Sequence, residues 1–265
     1  MKFAICNEIF KDWTLEDTFA FAKRIGYDAV EIAPFTIAQY VTEISPERRA
    51  EIKALAAKHD IAISGIHWVL VQTEGLHLTH PDPEVRQKTA RYFCDLVDFC
   101  GDLGGQFIVV GSPKQRNLEP GVSFEQGWEW ATAVFRDAVM RAEKRGIVIC
   151  FEPLAPSETN FINTAAQAIE FVQQLRTPHF KIILDVKAMS SEAQPIPEII
   201  RRSWPNFAYF HANDKNLKGP GFGEVDFAPI GAALKDVGYQ GYASVEVFKF
   251  EEGAEAIATK SLETL

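Results

Sequence analysis

The 265-residue sequence predicts an α/β fold, a single (βα)8 barrel spanning residues 1–265. Three observations predict it. Short apolar runs alternate with segments of helical spacing from one end of the chain to the other. The runs begin roughly 25 to 45 residues apart, the length of a βα unit. No Ser/Gly-rich linker divides the chain, and its length is close to the ~250 residues of one such barrel.

The first strand is expected at Phe3–Ile9, and the first helix over Leu15, Phe19, Ala22 and Ile25, which share one face before Gly26 stops it. A second strand reads at Ala29–Phe35. Ser45 caps the alanine-rich "SPERRAEIKALAAKHD", with Pro46 at the first helical position, where a missing N–H is harmless. The third strand is Ile61–Leu70, and Asp82-Pro83 opens a long helix in the same way. The fourth strand, Phe107–Gly111, precedes "SFEQGWEWATAVFRDAVMRAEKRG", which closes on Lys, Arg and Gly146. Val148–Leu154 is the fifth strand, followed by the shorter helix "TAAQAIEFVQQL". Lys181–Val186 and Phe207–Ala212 are the sixth and seventh. "FAPIGAALKDVG" is helical to Gly238, Tyr242–Phe248 is the eighth strand, and Glu252 to Leu265 forms the last helix. The competing architecture, an open doubly wound sheet, lacks its nucleotide fingerprint. "GPGFG" at Gly219–Gly223 contains a proline, follows no strand directly and reads as a flexible loop.

The formal charge is −9, which disfavours nonspecific binding to nucleic acid or to anionic membranes. No apolar stretch approaches the ~20 residues of a membrane span. The N-terminus "MKFAICNEIFKDW" meets Glu8 and Asp12 early and does not read as a secretory signal. Cys6, Cys94, Cys100 and Cys150 form no C-x-x-C pair and are expected as buried free thiols of a cytoplasmic protein.

Function in such a barrel sits at the C-terminal ends of the strands. Strand five ends "CFEPL" with Glu152, six ends "IILDV" with Asp185, seven ends "YFHAND" with His211, and eight ends "SVEVF" with Glu246. Each is a polar residue in an apolar run, and consecutive strands are neighbours, so the four converge at one mouth. One acid at a strand end is often a helix cap or an ion-pair partner. Four ligand types at four successive ends are harder to explain that way. Crowded carboxylates repel, and a divalent cation relieves the conflict. Three hard oxygens and one nitrogen suit one Mn²⁺ best, with Mg²⁺ or Co²⁺ as substitutes and Zn²⁺ less suited.

At these residues the sequence resembles the xylose-isomerase-like TIM-barrel superfamily. It is most similar to the sugar (phosphate) isomerase/epimerase branch, which holds the tagatose/psicose 3-epimerases and hydroxypyruvate isomerase. The resemblance spans nearly the whole chain. Glu152, Asp185, His211 and Glu246 match the Glu-Asp-His-Glu metal site in order and approximate spacing. The resemblance implies that Glu152 and Glu246 also exchange a proton with the substrate carbon, that Glu158 lies near the substrate hydroxyls, and that the chain forms a homodimer or homotetramer. The substrate half departs from the pattern. Tagatose-type epimerases carry histidine three residues after the aspartate, where Ala188 stands here beside Lys187. They carry arginine six residues after the histidine, where Leu217 stands beside Lys218.

Other residues carry two readings. His67 and Trp68 end strand three and either line the pocket, the ring stacking on a sugar, or are core. Trp13, in the first βα loop, has the same two readings. Lys114 and Arg116, in "GSPKQRN" after strand four, either grip a substrate phosphate or carboxylate or are solvated surface. Lys187 would share the side of Asp185 if the strand continued, binding substrate or pairing with a carboxylate. His77 and His80 read as structural and His59 and His179 as solvent-facing.

The function expected is that of a metal-dependent isomerase or epimerase of a small ketose, ketose phosphate or hydroxy-keto acid. It would act through an enediolate, with Glu152 and Glu246 as the proton-transfer pair. A dehydratase of a keto-sugar or inosose on the same site and a non-catalytic metal-binding barrel are the alternatives. Phosphodiester cleavage, as in endonuclease IV of the same superfamily, fits poorly, because only His67 and His211 end strands and the charge is acidic.

Overall fold

The computed structural model describes residues 1–265. Eight parallel strands close into a barrel in chain order, with β8 paired to β1. β1 is Lys2–Cys6, β2 Ala29–Ile32, β3 Ala62–Ile66, β4 Phe107–Val110, β5 Val148–Phe151, β6 Phe180–Asp185, β7 Phe207–Ala212 and β8 Tyr242–Val245. Every strand lies inside or beside its expected run, but most are shorter. Ile9, Leu70 and Val247 continue their apolar runs past the strand ends and are buried, Ile9 in a short 3-10 turn and the other two in loops. Hydropathy reports burial, and here burial outlasts strand pairing.

The helices are α1 Leu15–Ile25, α2 Pro46–Lys58, α3 Pro83–Leu103, α4 Phe124–Arg145, α5 Ala165–Val172, α6 Val186–Met189, α7 Ile196–Ser203, α8 Phe227–Asp236 and α9 Ala254–Thr264. Side-chain caps begin the long ones: Thr14 accepts from Asp17 N–H, Ser45 from Arg48 N–H, Asp82 from Glu84 N–H and Ser123 from Gln126 N–H. Gly26 ends α1 at φ 114°, a backbone angle that side chains rarely tolerate. The connection from β6 to β7 is broken into α6, a single turn, and α7, which starts after Pro195. The "GPGFG" loop is tightly held rather than slack. A Cβ on Gly219 would stand 2.4 Å from Ser261 Oγ, and one on Gly223 would stand 2.2 Å from Asp214 Cγ.

Alternate residues of each strand face the barrel interior. Ala4, Ala29, Val109, Cys150, Ile183, Tyr209 and Tyr242 pack together there as one layer. Two residues beyond Cys150, Ile183 and Tyr209 stand Glu152, Asp185 and His211, and four beyond Tyr242 stands Glu246. The strand pleat that aims the apolar layer inward therefore aims these four inward too. All four cysteines are free, three buried and Cys94 half-buried. No helix is long and apolar enough to cross a membrane.

Candidate active site

The four polar strand ends converge at the barrel mouth. Asp185 and His211 are direct partners between β6 and β7. Glu152 N–H donates to Val110 C=O (3.1 Å) and Glu246 N–H to Ala212 C=O (3.3 Å), so both residues extend the ladder by one step. Ligand atoms of Glu152, Asp185 and His211 lie within 4.8 Å of one another. Glu246 Oε2 lies 3.2 Å from His211 Nδ1. All four side chains are buried. The Glu152 carboxylate reaches its place only because residue 111 is glycine, since a Cβ there would stand 1.9 Å from Glu152 Oε2.

This donor set fits a divalent ion. His211 Nδ1 is buried without a hydrogen bond, although a carboxylate faces it. Its other nitrogen, Nε2, is 3.1 Å from Glu31 Oε2, the carboxylate–histidine arrangement that orients a metal-binding ring. Three carboxylates supply hard oxygens beside that nitrogen.

The proton affinities diverge. Burial, then the charges of Asp185 and Glu246, push Glu152 up to about 8. Burial likewise raises Asp185, against the pull of Lys187. Burial also acts upward on Glu246, but the charge and hydrogen bond of His211 outweigh it and hold the carboxyl below its ordinary value. For His211, burial disfavours the charge, yet Glu246 and Glu31 carry its pKa well above the usual imidazole range.

A cavity of about 600 Å³ opens over these carboxylates. Glu158, Lys187, Lys114 and Trp68 line it, together with Phe248. Trp68 takes the left-handed backbone conformation, φ 51°, which is rare for a bulky side chain. There its Nε1–H donates to Glu246 Oε1 at 2.6 Å. Its ring stacks between Phe35 and Phe248, each 5.7 Å away. Lys187 is not on a continued strand. Asp185 ends β6 and caps α6 by accepting from Ala188 N–H at 2.7 Å. Lys187, on α6, instead reaches Glu158 Oε1 at 2.7 Å and lies 4.2 Å from the Phe248 ring centre.

The remaining candidates lie elsewhere. Arg116 is not a surface or ligand-facing cation. It is fully buried, donates through Nη1 to the Glu152 C=O at 2.7 Å, and sits 4.8 Å over the Phe151 ring. The Glu152 carbonyl and the nearby charges of Glu152 and Glu158 hold it beneath the loop against the cost of burial, and sequence position alone gives no sign of that. His67 is also fully buried, with Nε2 2.9 Å from Glu8 Oε2, and does not line the cavity. Trp13 packs on Phe10 and Phe21 and faces a neighbouring cavity of about 460 Å³ on the other side of Trp68. Lys218 pairs with Glu252, away from the main cavity. His59 and His179 are half-buried rather than solvent-facing, and His179 Nδ1 lies 2.7 Å from the Ile147 carbonyl oxygen.

Two functional neighbours are new. Glu31, fully buried on β2, lies against His211 and accepts from Tyr209 Oη–H at 3.1 Å. Burial acts upward on it, but His211 and His67 lower it to about 2. Asn213 donates to Asp185 Oδ2 (2.5 Å) and to Glu246 Oε2 (3.4 Å), tying two strand ends together. Glu31 carries the same signal as Glu152, a lone acid in an apolar run ("AVEIAPF"), and Asn213 stands two residues past His211.

A family model described as xylose isomerase-like TIM barrel matches residues 19–265. A D-psicose 3-epimerase of Ruminiclostridium cellulolyticum is 27% identical over 242 residues, 90% of this chain and 80% of that protein. An L-ribulose 3-epimerase of Mesorhizobium japonicum is 25% identical over 247 residues, 93% of this chain and 80% of that protein. The crystal structure of D-psicose 3-epimerase with D-tagatose from Clostridium cellulolyticum H10 superposes with a TM-score of 0.86 at 24% identity. That superposition covers 99% of this chain and 97% of the other.

Proposed function

The chain belongs to the xylose isomerase-like TIM-barrel family, and from that membership we propose that it epimerises a small ketose with the help of one bound divalent ion. The observation that carries the reading is the pairing of Glu152 and Glu246 at one cavity, flanking Asp185 and His211 in strand order. The curated relatives that are ketose 3-epimerases support the substrate class.

Glu152, Asp185, His211 and Glu246 would hold the ion. When bound, it supplies Lewis-acid polarisation of the substrate carbonyl, and Mn²⁺, Mg²⁺ or Co²⁺ matches the donors. One of Glu152 and Glu246 takes the proton from the carbon beside the carbonyl, and the other returns one from the opposite side of the site. The opposite epimer exchanges the two roles. Trp68 holds one oxygen of Glu246, and the other faces His211 Nδ1. Glu158 Oε2 has no partner in the protein and accepts a substrate hydroxyl, while its Oε1 is held by Lys187. The Trp68 and Phe248 rings offer an apolar wall to a sugar face.

The test is incubation with ketoses, ketose phosphates, hydroxypyruvate and inososes in D₂O with added Mn²⁺. Deuterium entering at the carbon beside the carbonyl, with the epimer accumulating, is expected for at least one ketose. A metal-loaded protein that exchanges no carbon-bound hydrogen with any of them would refute the proposal.

A further inference from the structure

Beneath the oxygen-rich cluster lies a second, chemically softer one. Cys6 at the end of β1, Glu31 on β2 and His67 just after β3 are all fully buried, and their ligand atoms lie within 4.8 Å of one another. We propose that Cys6, Glu31 and His67 form a second metal site, one that takes Zn²⁺ or another thiophilic divalent ion.

The spacing argues for an ion. Cys6 Sγ is 3.4 Å from Glu31 Oε2, and His67 Nδ1 is 3.7 Å from Glu31 Oε1. A tetrahedral zinc with a Zn–S bond of ~2.3 Å and Zn–N and Zn–O bonds of ~2.0–2.1 Å separates its donors by roughly 3.3–3.5 Å. Those edges are close to the ones observed. They are poor hydrogen bonds by the same measure: the thiol is a weak donor, and His67 Nδ1 is buried with no hydrogen-bond partner at all.

Polar groups surround the cluster. His67 Nε2, the ring nitrogen facing away, sits 2.9 Å from Glu8 Oε2 at ion-pair distance, without hydrogen-bond geometry. Ser244 Oγ, 3.7 Å from Cys6 Sγ, is a further polar atom beside the cluster. Cys6 faces Glu31 Oε2 and His67 faces Oε1, while both oxygens lie within 3.2 Å of His211 Nε2, so either can keep His211. Glu31 can coordinate below with one oxygen and keep His211 with the other. Binding displaces the Cys6 thiol proton to solvent, so affinity rises with pH. Donor chemistry separates the two sites. The upper one, with no sulfur, suits Mn²⁺ or Mg²⁺, and the lower one, with thiolate and imidazole, suits Zn²⁺ or Co²⁺.

Cobalt reports on the site directly. Titration of the full chain with Co²⁺ should saturate at two ions and show a thiolate-to-cobalt charge-transfer band, which Zn²⁺ abolishes. Cys6→Ser should lose the band and one equivalent while retaining the other. Asp185→Asn should keep the band, and Cys94→Ser, which removes the half-buried thiol, should change nothing. X-ray absorption on wild type preloaded with Mn²⁺ and then given one Zn²⁺ should show sulfur beside zinc, a measurement that requires no variant to fold. Saturation at one cobalt with no band, a band that survives Cys6→Ser, or zinc without sulfur would each overturn the assignment.

Discussion

Trp68 Nε1–H and Glu246 Oε1 meet at 2.6 Å, joining the end of the third strand to the carboxylate that follows the eighth. The tryptophan adopts a left-handed backbone conformation to make this contact, and two flanking aromatic rings hold its plane. A short hydrogen bond to a charged oxygen fixes the orientation of the Glu246 carboxylate.

Trp68→Phe keeps the ring stack and removes the donor. A hydrogen bond to a charged group contributes about 1.5–3 kcal/mol, so kcat should fall roughly ten- to a hundredfold. Circular dichroism should be unchanged. A variant of wild-type kcat would show that Glu246 needs no such support.

Mn²⁺ should bind at about one ion per chain, as measured by calorimetry. Asp185→Asn and His211→Ala should each weaken that binding sharply. Full occupancy in both variants would place the ion elsewhere.

Glu152→Gln and Glu246→Gln keep side-chain size and one coordinating oxygen, and they remove the base. At raised Mn²⁺ each should hold the ion while turnover falls about 10²–10⁴-fold. One variant should still exchange the carbon-bound proton of one epimer with solvent, and the other that of the opposite epimer. Near-normal turnover by both metal-loaded variants would shift the proton chemistry to Lys187 or Glu158.

Arg116→Met leaves the Glu152 carbonyl without its buried donor. Stability should drop by about 3 kcal/mol, read by denaturant titration. KM should change equally for charged and neutral substrates, because the guanidinium faces protein. A selective rise for charged substrates would return Arg116 to the ligand.

Metal-free protein should be most stable near about pH 5. Glu31, lowered to about 2, binds its proton more weakly when folded, so stability grows as pH rises from about 2 to 4.5. Glu152, raised to about 8, and His67, raised to about 9 by Glu8 and Glu31 against the effect of burial, bind theirs more tightly when folded. Stability is therefore lost as pH climbs from about 4.5 to 9. Saturating Mn²⁺ should flatten the alkaline decline. A Tm rising steadily to pH 8.5 without metal would contradict the assignment.

The barrel and its four converging strand ends are visible in the sequence because both follow from alternation: period two along a strand, strand and helix along the chain. Glu31 carries the same visible sign as Glu152 and differs only in lying on an early strand, away from the cluster of matches. Other features depend on three-dimensional context. Arg116 sits in a charged loop sequence, and only the fold shows it turned under Phe151. Lys187 follows an aspartate that ends its strand by capping the next turn, so two-residue alternation stops at Asp185. The backbone angle of Trp68 follows from what its ring and N–H must reach.

Gly111 and Glu152 share one volume, the carboxylate of one filling the place of the other's absent Cβ. Any substitution that adds a side chain at 111 forces the Glu152 carboxylate out of its present position, while the strand ladders stay in place. A descendant of this chain could lose its chemistry through one codon and still fold as a barrel. A survey of related sequences can use residue 111 as a marker: those without glycine there should also have abandoned the acid at 152.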